Sequence, residues 1–489
     1  MAVSTSPATL WSRLTDHEGR TRFVVVVLDG LRPDLVDRAT MPHVAALCAA
    51  GTRFANARSV FPSETRVATA SFVTGCRPGA HGLVANTMFV PAVTPARKLR
   101  TNLPADLELL GQGGSPLQRP TIGEHLAAAS RSLAVVSAGT CGSAVLTHPL
   151  AGRLGAFRWN VHETEGETVE RVGAALGQTP GAGVPNLARI AFAADVMTEF
   201  VLPEVRPDVA LLWCSEPDIT FHAHGVGSER AHEALRAADA VVGRIRTWRD
   251  RQPDASQIGL LVLSDHGHVT GSRRIDVAAE LLAGGFAVAD GFGEAGDLVV
   301  AGGAAPGLYL RDPALAPALA GFLGQQDWAG PLLSRDSGLL PEAAPLALLG
   351  SAHAHSPDLV LLFRGSEQAD RHGVAGWAPY DAGDVPVGGG MHGGLHRREL
   401  ATLLVMEGGP FRRGATVNAF ADLSDIAPTL LHLLGLPRNG TEGRVLAEAW
   451  NEHAEPMPDA ADVALGRGFT LEAVRQDGRF YPTGLRDAG

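Results

Sequence analysis

Cysteine is scarce in this chain. Cys48, Cys76, Cys141 and Cys214 are its only four in 489 residues, and no two stand in C-x-x-C spacing. That sets aside a disulfide scaffold and a thiolate zinc cluster in favour of buried free thiols in a reducing compartment. Lysine is scarcer still: Lys98 is the single one, and every other long basic side chain is an arginine. A genome rich in Arg, Ala and Gly codons is the plain cause. No run reaches the roughly 18 apolar residues that a membrane span needs. Met1 to Arg22 also lacks the apolar stretch of a secretory signal. The expected location is therefore cytoplasmic, with no membrane partner. Positive charge is short as well. A formal charge of −11 excludes a surface that coats nucleic acid, which requires a basic face. A small phosphorylated substrate stays compatible, because a bound metal reverses the local field.

What the chain does have is an ordinary soluble balance, 45% hydrophobic and 19% charged, and enough length for one large domain with an insertion. Phe23 to Leu28 is an unbroken apolar run with four consecutive valines, the mark of a strand covered on both faces. Similar runs occur at Leu133–Ser137, Val209–Cys214, Ile258–Leu263, Asp358–Phe363 and Ala401–Met406. Between them lie stretches with helical periodicity, such as Asn186 to Phe200 and Ser228 to Trp248. This alternation predicts an α/β fold: a mostly parallel central sheet with helices on both faces. The expected division is a core over residues 22–268 and 391–436, and an inserted cap over 269–390 that includes some core strands. A C-terminal tail over 437–489 follows. Asn86 to Pro120 reads as a second, loop-rich insertion. Nothing in the sequence fixes oligomeric state, and a homo-oligomer stays open.

Several strand-like runs end in metal-ligand side chains. Asp265-His266-Gly267-His268 follows Ile258–Ser264, and open α/β sheets place their sites at that end of a strand. Asp29 directly follows the first run, where a lone Asp would otherwise be a helix cap or Asx turn. Asp218 and His222 stand four apart after the third run, on one face of a helical turn. His392 sits among glycines, which let backbone crowd close to an ion or substrate. Three carboxylates and three imidazoles suit two divalent ions, zinc above all; calcium would take oxygen ligands throughout. A nucleophile is at hand in Phe61-Pro62-Ser63-Glu64-Thr65, before a predicted helix over 65–74 that ends at Gly75. Thr65 would present its hydroxyl beside free amide donors and the positive end of the helix dipole. Taken alone, Ser63 or Thr65 would simply cap that helix.

These motifs, in this order, resemble the alkaline phosphatase superfamily in its type I phosphodiesterase and nucleotide pyrophosphatase branch, which also includes phosphonoacetate hydrolase. Asp29-Gly30 resembles the first metal motif, and Pro62-Ser63-Glu64-Thr65 with Phe72-Val73-Thr74-Gly75 the nucleophile segment. His81 to Thr87 resembles the phosphate-contacting loop. Glu216-Pro217-Asp218 with His222, then Ser264-Asp265-His266-Gly267 and His392-Gly393, complete the set, and Asp425 to Leu431 is similar to the family's late helix.

The resemblance implies one metal held by Asp218, His222 and His392, and another by Asp29, Asp265 and His266, with Thr65 beside the second. It implies Thr65 as nucleophile through a phospho-threonine intermediate, and Asn86 as donor to a non-bridging oxygen. The implied activity is hydrolysis of phosphoric diesters or nucleotide pyrophosphates. A phosphonate hydrolase or a phosphomutase of the same superfamily are the alternatives. A sulfatase of the superfamily would carry a modifiable Cys or Ser with Pro two positions beyond and Arg four beyond, whereas Thr65 is followed by Arg66, Val67, Ala68 and Thr69. Phosphonoacetate hydrolases hold the substrate carboxylate with lysines, of which only Lys98 is present. Lys98, with Arg97 and Arg100, could reach a distal negative group on the substrate. His224, His268 and His396, each close after an implied ligand, could support the site or touch substrate.

Overall fold

The computed structural model describes residues 20–293, 296–381, 383–452 and 455–487. Most of the segment Met1 to Arg22, discussed above for its lack of a signal sequence, lies outside them.

Eight strands form the main sheet: β1 (Arg22–Leu28), β2 (Thr52–Arg58), β3 (Leu133–Ser137), β4 (Arg158–Asn160), β5 (Val209–Cys214), β6 (Ile258–Leu263), β7 (Leu404–Gly408) and β8 (Ala415–Asp422). Their spatial order is β8-β2-β7-β6-β1-β5-β3-β4, and every pairing is parallel except those of β7 with β6 and β2. β1 lies near the centre and is buried on both sides, as its valine run requires. Phe23, Val25 and Val27 face one hydrophobic cluster, while Val24, Val26 and Leu28 face another. The helix Thr65–Thr74 covers the first face, and the helices Pro42–Ala50, Leu187–Asp195 and Glu229–Asp250 cover the second. Each fully buried Val or Leu in these layers contributes roughly 1.5–3 kcal/mol.

Two sequence expectations change here. The run at Leu359–Phe363 does not join the parallel sheet. It lies in a separate mixed sheet of six strands, between Gly307–Leu310 and Ala329–Ser334, and is antiparallel to both. A strand buried on both faces reads alike in either sheet, so composition could not separate them. The helix expected over 186–200 is regular only at Leu187–Asp195, then widens into a π-helical stretch over Val196–Val205 containing Pro203, which has no N–H to donate.

A smaller sheet has the order Ser366–Ala369, Ala375–Tyr380, Val269–Arg274, Gly390–Met391. It matters for the site, because Val269–Arg274 leaves directly from His268 and Gly390–Met391 leads directly into His392. Their antiparallel pairing, Gly390 to Thr270 and Met391 to Val269, draws residue 392 back to the end of β6. The C-terminal segment is a hairpin of Phe469–Gln476 and Arg479–Asp487, turned at Asp477-Gly478, with both turn residues at positive φ. Phe469, Leu471 and Phe480 pack it against Phe61, Leu395 and Leu400. Among the described residues no helix is long and apolar enough to cross a membrane.

Candidate active site

The C-terminal ends of β1, β5 and β6 deliver the carboxylates. Asp29 follows β1; its Oδ2 accepts from the Trp213 indole N–H at 2.9 Å, and its Oδ1 has no donor. Asp265, after β6, is bound through Oδ1 by the backbone N–H groups of Gly30 and His266, each at 3.0 Å. Its Oδ2, again, has none. His266 Nε2 faces both open carboxylates, 3.4 Å from Asp29 Oδ1 and 3.3 Å from Asp265 Oδ2. Thr65 Oγ1 lies 3.1 Å from the same nitrogen. These groups are buried, and Thr65 opens its helix as the first residue.

A second cluster adjoins the first. Asp218 Oδ1 has no hydrogen-bond donor and is 3.2 Å from His222 Nε2, 3.1 Å from His268 Nε2 and 3.5 Å from His392 Nε2. The four imidazoles share one arrangement. Nδ1–H donates to a backbone carbonyl: His222 to Gly390 at 2.6 Å, His266 to Gly267 at 3.1 Å, His268 to Gly30 at 3.0 Å and His392 to Ser63 at 2.9 Å. A carbonyl can only accept, so each neutral ring keeps its proton on Nδ1 and turns the Nε2 lone pair inward.

Electrostatics tell the same story. Burial, then the charge of Asp29, pushes the Asp265 carboxyl well above the usual range. Burial disfavours the charged His266 ring, yet Asp265 and Asp29 lift it to about 10. Burial holds His268 at about 4, and burial with the charge of His266 takes His392 far down. Burial also works to raise Asp218, but the charge of His222 and the close approach of His222 and His268 hold it well below the carboxylate range. A dication there would favour ionised carboxylates and neutral rings throughout. Open, buried donor atoms with fixed tautomers fit a metal ion, and two donor groups meet that description: Asp218 with His266, His268 and His392, and Asp29 with Asp265 and His266.

Asp29, Thr65, Asp218, His222, Asp265, His266 and His392 are thus brought together. Asn86 stands beside them, with Oδ1 accepting from the Arg66 backbone N–H at 3.2 Å and its own N–H donating to the Glu64 carboxylate. Lys98 is not in the cluster; its ammonium donates to the Val300 carbonyl at 3.0 Å and pairs with Asp290 at 3.3 Å. His396 is committed to a short helix, accepting from Arg398 N–H and donating to the Ser366 carbonyl.

Ser63 does not cap the helix Thr65–Thr74. Its hydroxyl donates to the Gly394 carbonyl at 2.9 Å and accepts from Gly393 N–H at 3.1 Å, strapping the His392 loop to the segment that leads into Thr65. Arg66 was also missed. Its guanidinium touches Thr101 Oγ1 at 3.3 Å and stands in the field of Glu64, Asp29, Asp218 and Asp265. In so arginine-rich a chain nothing in the sequence marks that one out.

A family model described as type I phosphodiesterase/nucleotide pyrophosphatase matches residues 23–315, more than half of the chain. The chain belongs to this family. Among family relatives, a venom phosphodiesterase of Macrovipera lebetinus is 24% identical over 247 residues, which is 50% of this chain and 25% of the relative. The ectonucleotide pyrophosphatase/phosphodiesterase family member 1 of Rattus norvegicus is 25% identical over 248 residues, 50% of this chain and 24% of the relative. The chain therefore spans about a quarter of the length of the curated relatives it matches. The solved structure of murine ectonucleotide pyrophosphatase/phosphodiesterase 5 aligns with TM-score 0.63 and 17% identity, covering 86% of this chain and 97% of that one. An inactive threonine-to-alanine variant of the same protein, in complex with AMP, aligns with TM-score 0.63 and 18% identity. The fold is thus the family's, with its alkaline phosphatase-like sheet.

Proposed function

We propose that this chain hydrolyses phosphoric diesters or nucleotide pyrophosphates through a phospho-threonine intermediate on Thr65. The observation that carries it is the Thr65 hydroxyl, 3.1 Å from His266 Nε2 and next to two buried carboxylates that each keep one oxygen open. Family membership supports the same chemistry, and the AMP held by the murine relative supports a nucleotide as substrate.

Asp29, Asp265 and His266 would hold one divalent cation, and Asp218, His222 and His392 another, zinc in both cases given the mixed nitrogen and oxygen donors. When bound, such ions supply Lewis acidity, easing loss of the Thr65 proton and neutralising charge on the leaving oxygen. Thr65 Oγ then attacks phosphorus in line. The Oγ–P bond forms, the P–O bond to the leaving group breaks, and the departing alcohol or phosphate takes up a proton. Asn86 and the Thr65 backbone N–H meet the charge that develops on a non-bridging oxygen. Water splits the Oγ–P bond in a second step, releasing the phosphomonoester and restoring the hydroxyl. Four free thiols support a reducing, cytoplasmic setting.

The test compares kcat/KM of zinc-loaded protein on p-nitrophenyl thymidine 5′-monophosphate and on p-nitrophenyl phosphate. A strong preference for the diester is expected, lost by at least about 10³-fold in Thr65→Ala, which removes the nucleophile. A preference for the monoester, or equal rates in the variant, would refute the diesterase function or the nucleophile respectively.

A further inference from the structure

We infer that His268 is a fourth protein ligand in the imidazole-rich cluster, binding the cation held by Asp218, His222 and His392. This role depends on the two-cation function proposed above, and it goes beyond the implied set of ligands.

Two atoms carry it. His268 Nε2 and Asp218 Oδ1 face each other at 3.1 Å, both buried, and neither has a hydrogen-bond partner. With Nδ1–H given to the Gly30 carbonyl at 3.0 Å, Nε2 of the neutral ring presents a lone pair to an oxygen that is itself an acceptor. Two lone pairs do not stay at that distance in a dry interior unless something positive lies between them. A proton would serve one such pair. Here His222 Nε2 and His392 Nε2 converge on the same oxygen, at 3.2 and 3.5 Å, and stand 3.2 Å from each other. One shared cation answers all of these contacts at once.

The spacing also fits. Four donors in a tetrahedron around zinc, with bonds of roughly 2.0–2.1 Å, lie about 3.3 Å apart. The donor separations given above run from 3.1 to 3.5 Å.

The fold makes room for the ring. At Gly30, where φ is +72°, a Cβ would lie 2.3 Å from His268 Cε1, and at Gly390 it would lie 2.9 Å from Cδ2. Phe221 packs edge-on against the ring, with centroids 5.2 Å apart. A side chain present only to fill this space would do better apolar, since it would leave no buried nitrogen unpaired. Four protein donors would close off the cation at Asp218, leaving it to accept a substrate oxygen only as a fifth ligand. The cation held by Asp29, Asp265 and His266 would keep an open position.

The test uses the full chain stripped of metal and reloaded with cobalt(II), with bound metal counted by atomic absorption. Paramagnetic proton NMR then counts strongly shifted, exchangeable imidazole N–H signals, because only a ring bonded to cobalt shows one. Signals from His222, His266, His268 and His392 are expected, and His268→Met should lose one of them while releasing one cobalt to EDTA at least about tenfold faster. If the unmodified protein binds two cobalt ions per chain but shows only three such signals, His268 is not a ligand. If it fails to bind two, the two-cation function falls first and His268 with it. The count in the unmodified protein stands even if the variant folds poorly.

Discussion

Asp29 and Asp265 stand at the ends of adjacent strands, while the imidazoles around Asp218 arrive from three different connections. The first pair is set by the main sheet: β1 and β6 pair over six residues, and their carboxylates then lie against the Gly30 N–H and the Trp213 indole. The second cluster takes Asp218 and His222 from the helix Asp218–His224, His268 from the exit of β6, and His392 from the far end of the excursion that runs from Val269 to Met391. What brings it together is the pairing of two residues, Gly390 and Met391, with Val269–Arg274, and the strap made by Ser63. One cluster follows from strand order alone; the other depends on long-range closure. Another buried carboxylate, Asp422, completes the contrast, because its countercharge is built in: Arg77 at 2.7 Å and Arg479 at 3.3 Å.

The sharpest way to break this contrast is at the sheet-built cluster. Asp265→Asn should lower kcat/KM by at least about 10³-fold, equivalent to roughly 4 kcal/mol, and reduce bound metal from two ions per chain to one. Steady-state kinetics and metal analysis check it, and full turnover with full stoichiometry would show that Asp265 is no ligand.

Asp422 should behave in the opposite way. Burial works to raise its carboxyl, but Arg77 and Arg479 outweigh that and hold it far below the ordinary value. A depressed folded-state pKa adds stability that is fully present above about pH 3.9 and is lost as the pH falls further. Asp422→Ala should therefore cost about 3 kcal/mol in urea unfolding at neutral pH, shrinking below pH 3.9, with metal content unchanged. Loss of metal in that variant would mean the two regions are not independent. Lys98→Ala should give the smallest effect, within about twofold in kcat/KM, since the ammonium is engaged by Val300 and Asp290 on a partly exposed surface. A tenfold rise in KM would instead put Lys98 on the substrate.

The residues that converge on the candidate site were legible because each follows an apolar run or sits among glycines, and local chemistry alone flags such positions. Sheet membership was not legible for Leu359–Phe363, since burial on both faces writes the same apolar run in a parallel or a mixed sheet. Ser63 looked like a cap because its true partners, Gly393 and Gly394, lie more than 300 residues away. The C-terminal hairpin did carry a signal. Asp477-Gly478 is a two-residue turn with both φ positive, flanked by the alternating segment Phe469–Gln476. His268 was visible as an extra imidazole beside Asp265-His266, while its convergence on Asp218 exists only in three dimensions.

The hydrogen bond from the Trp213 indole to Asp29 Oδ2 makes this tryptophan an optical probe of the site. Electron density drawn from the carboxylate toward an ion at Oδ1 would weaken the indole contact on its other oxygen. Emission from Trp213 would respond to occupancy of that one cluster and hardly at all to its neighbour. Filling of that one cluster could then be followed in real time and without a label.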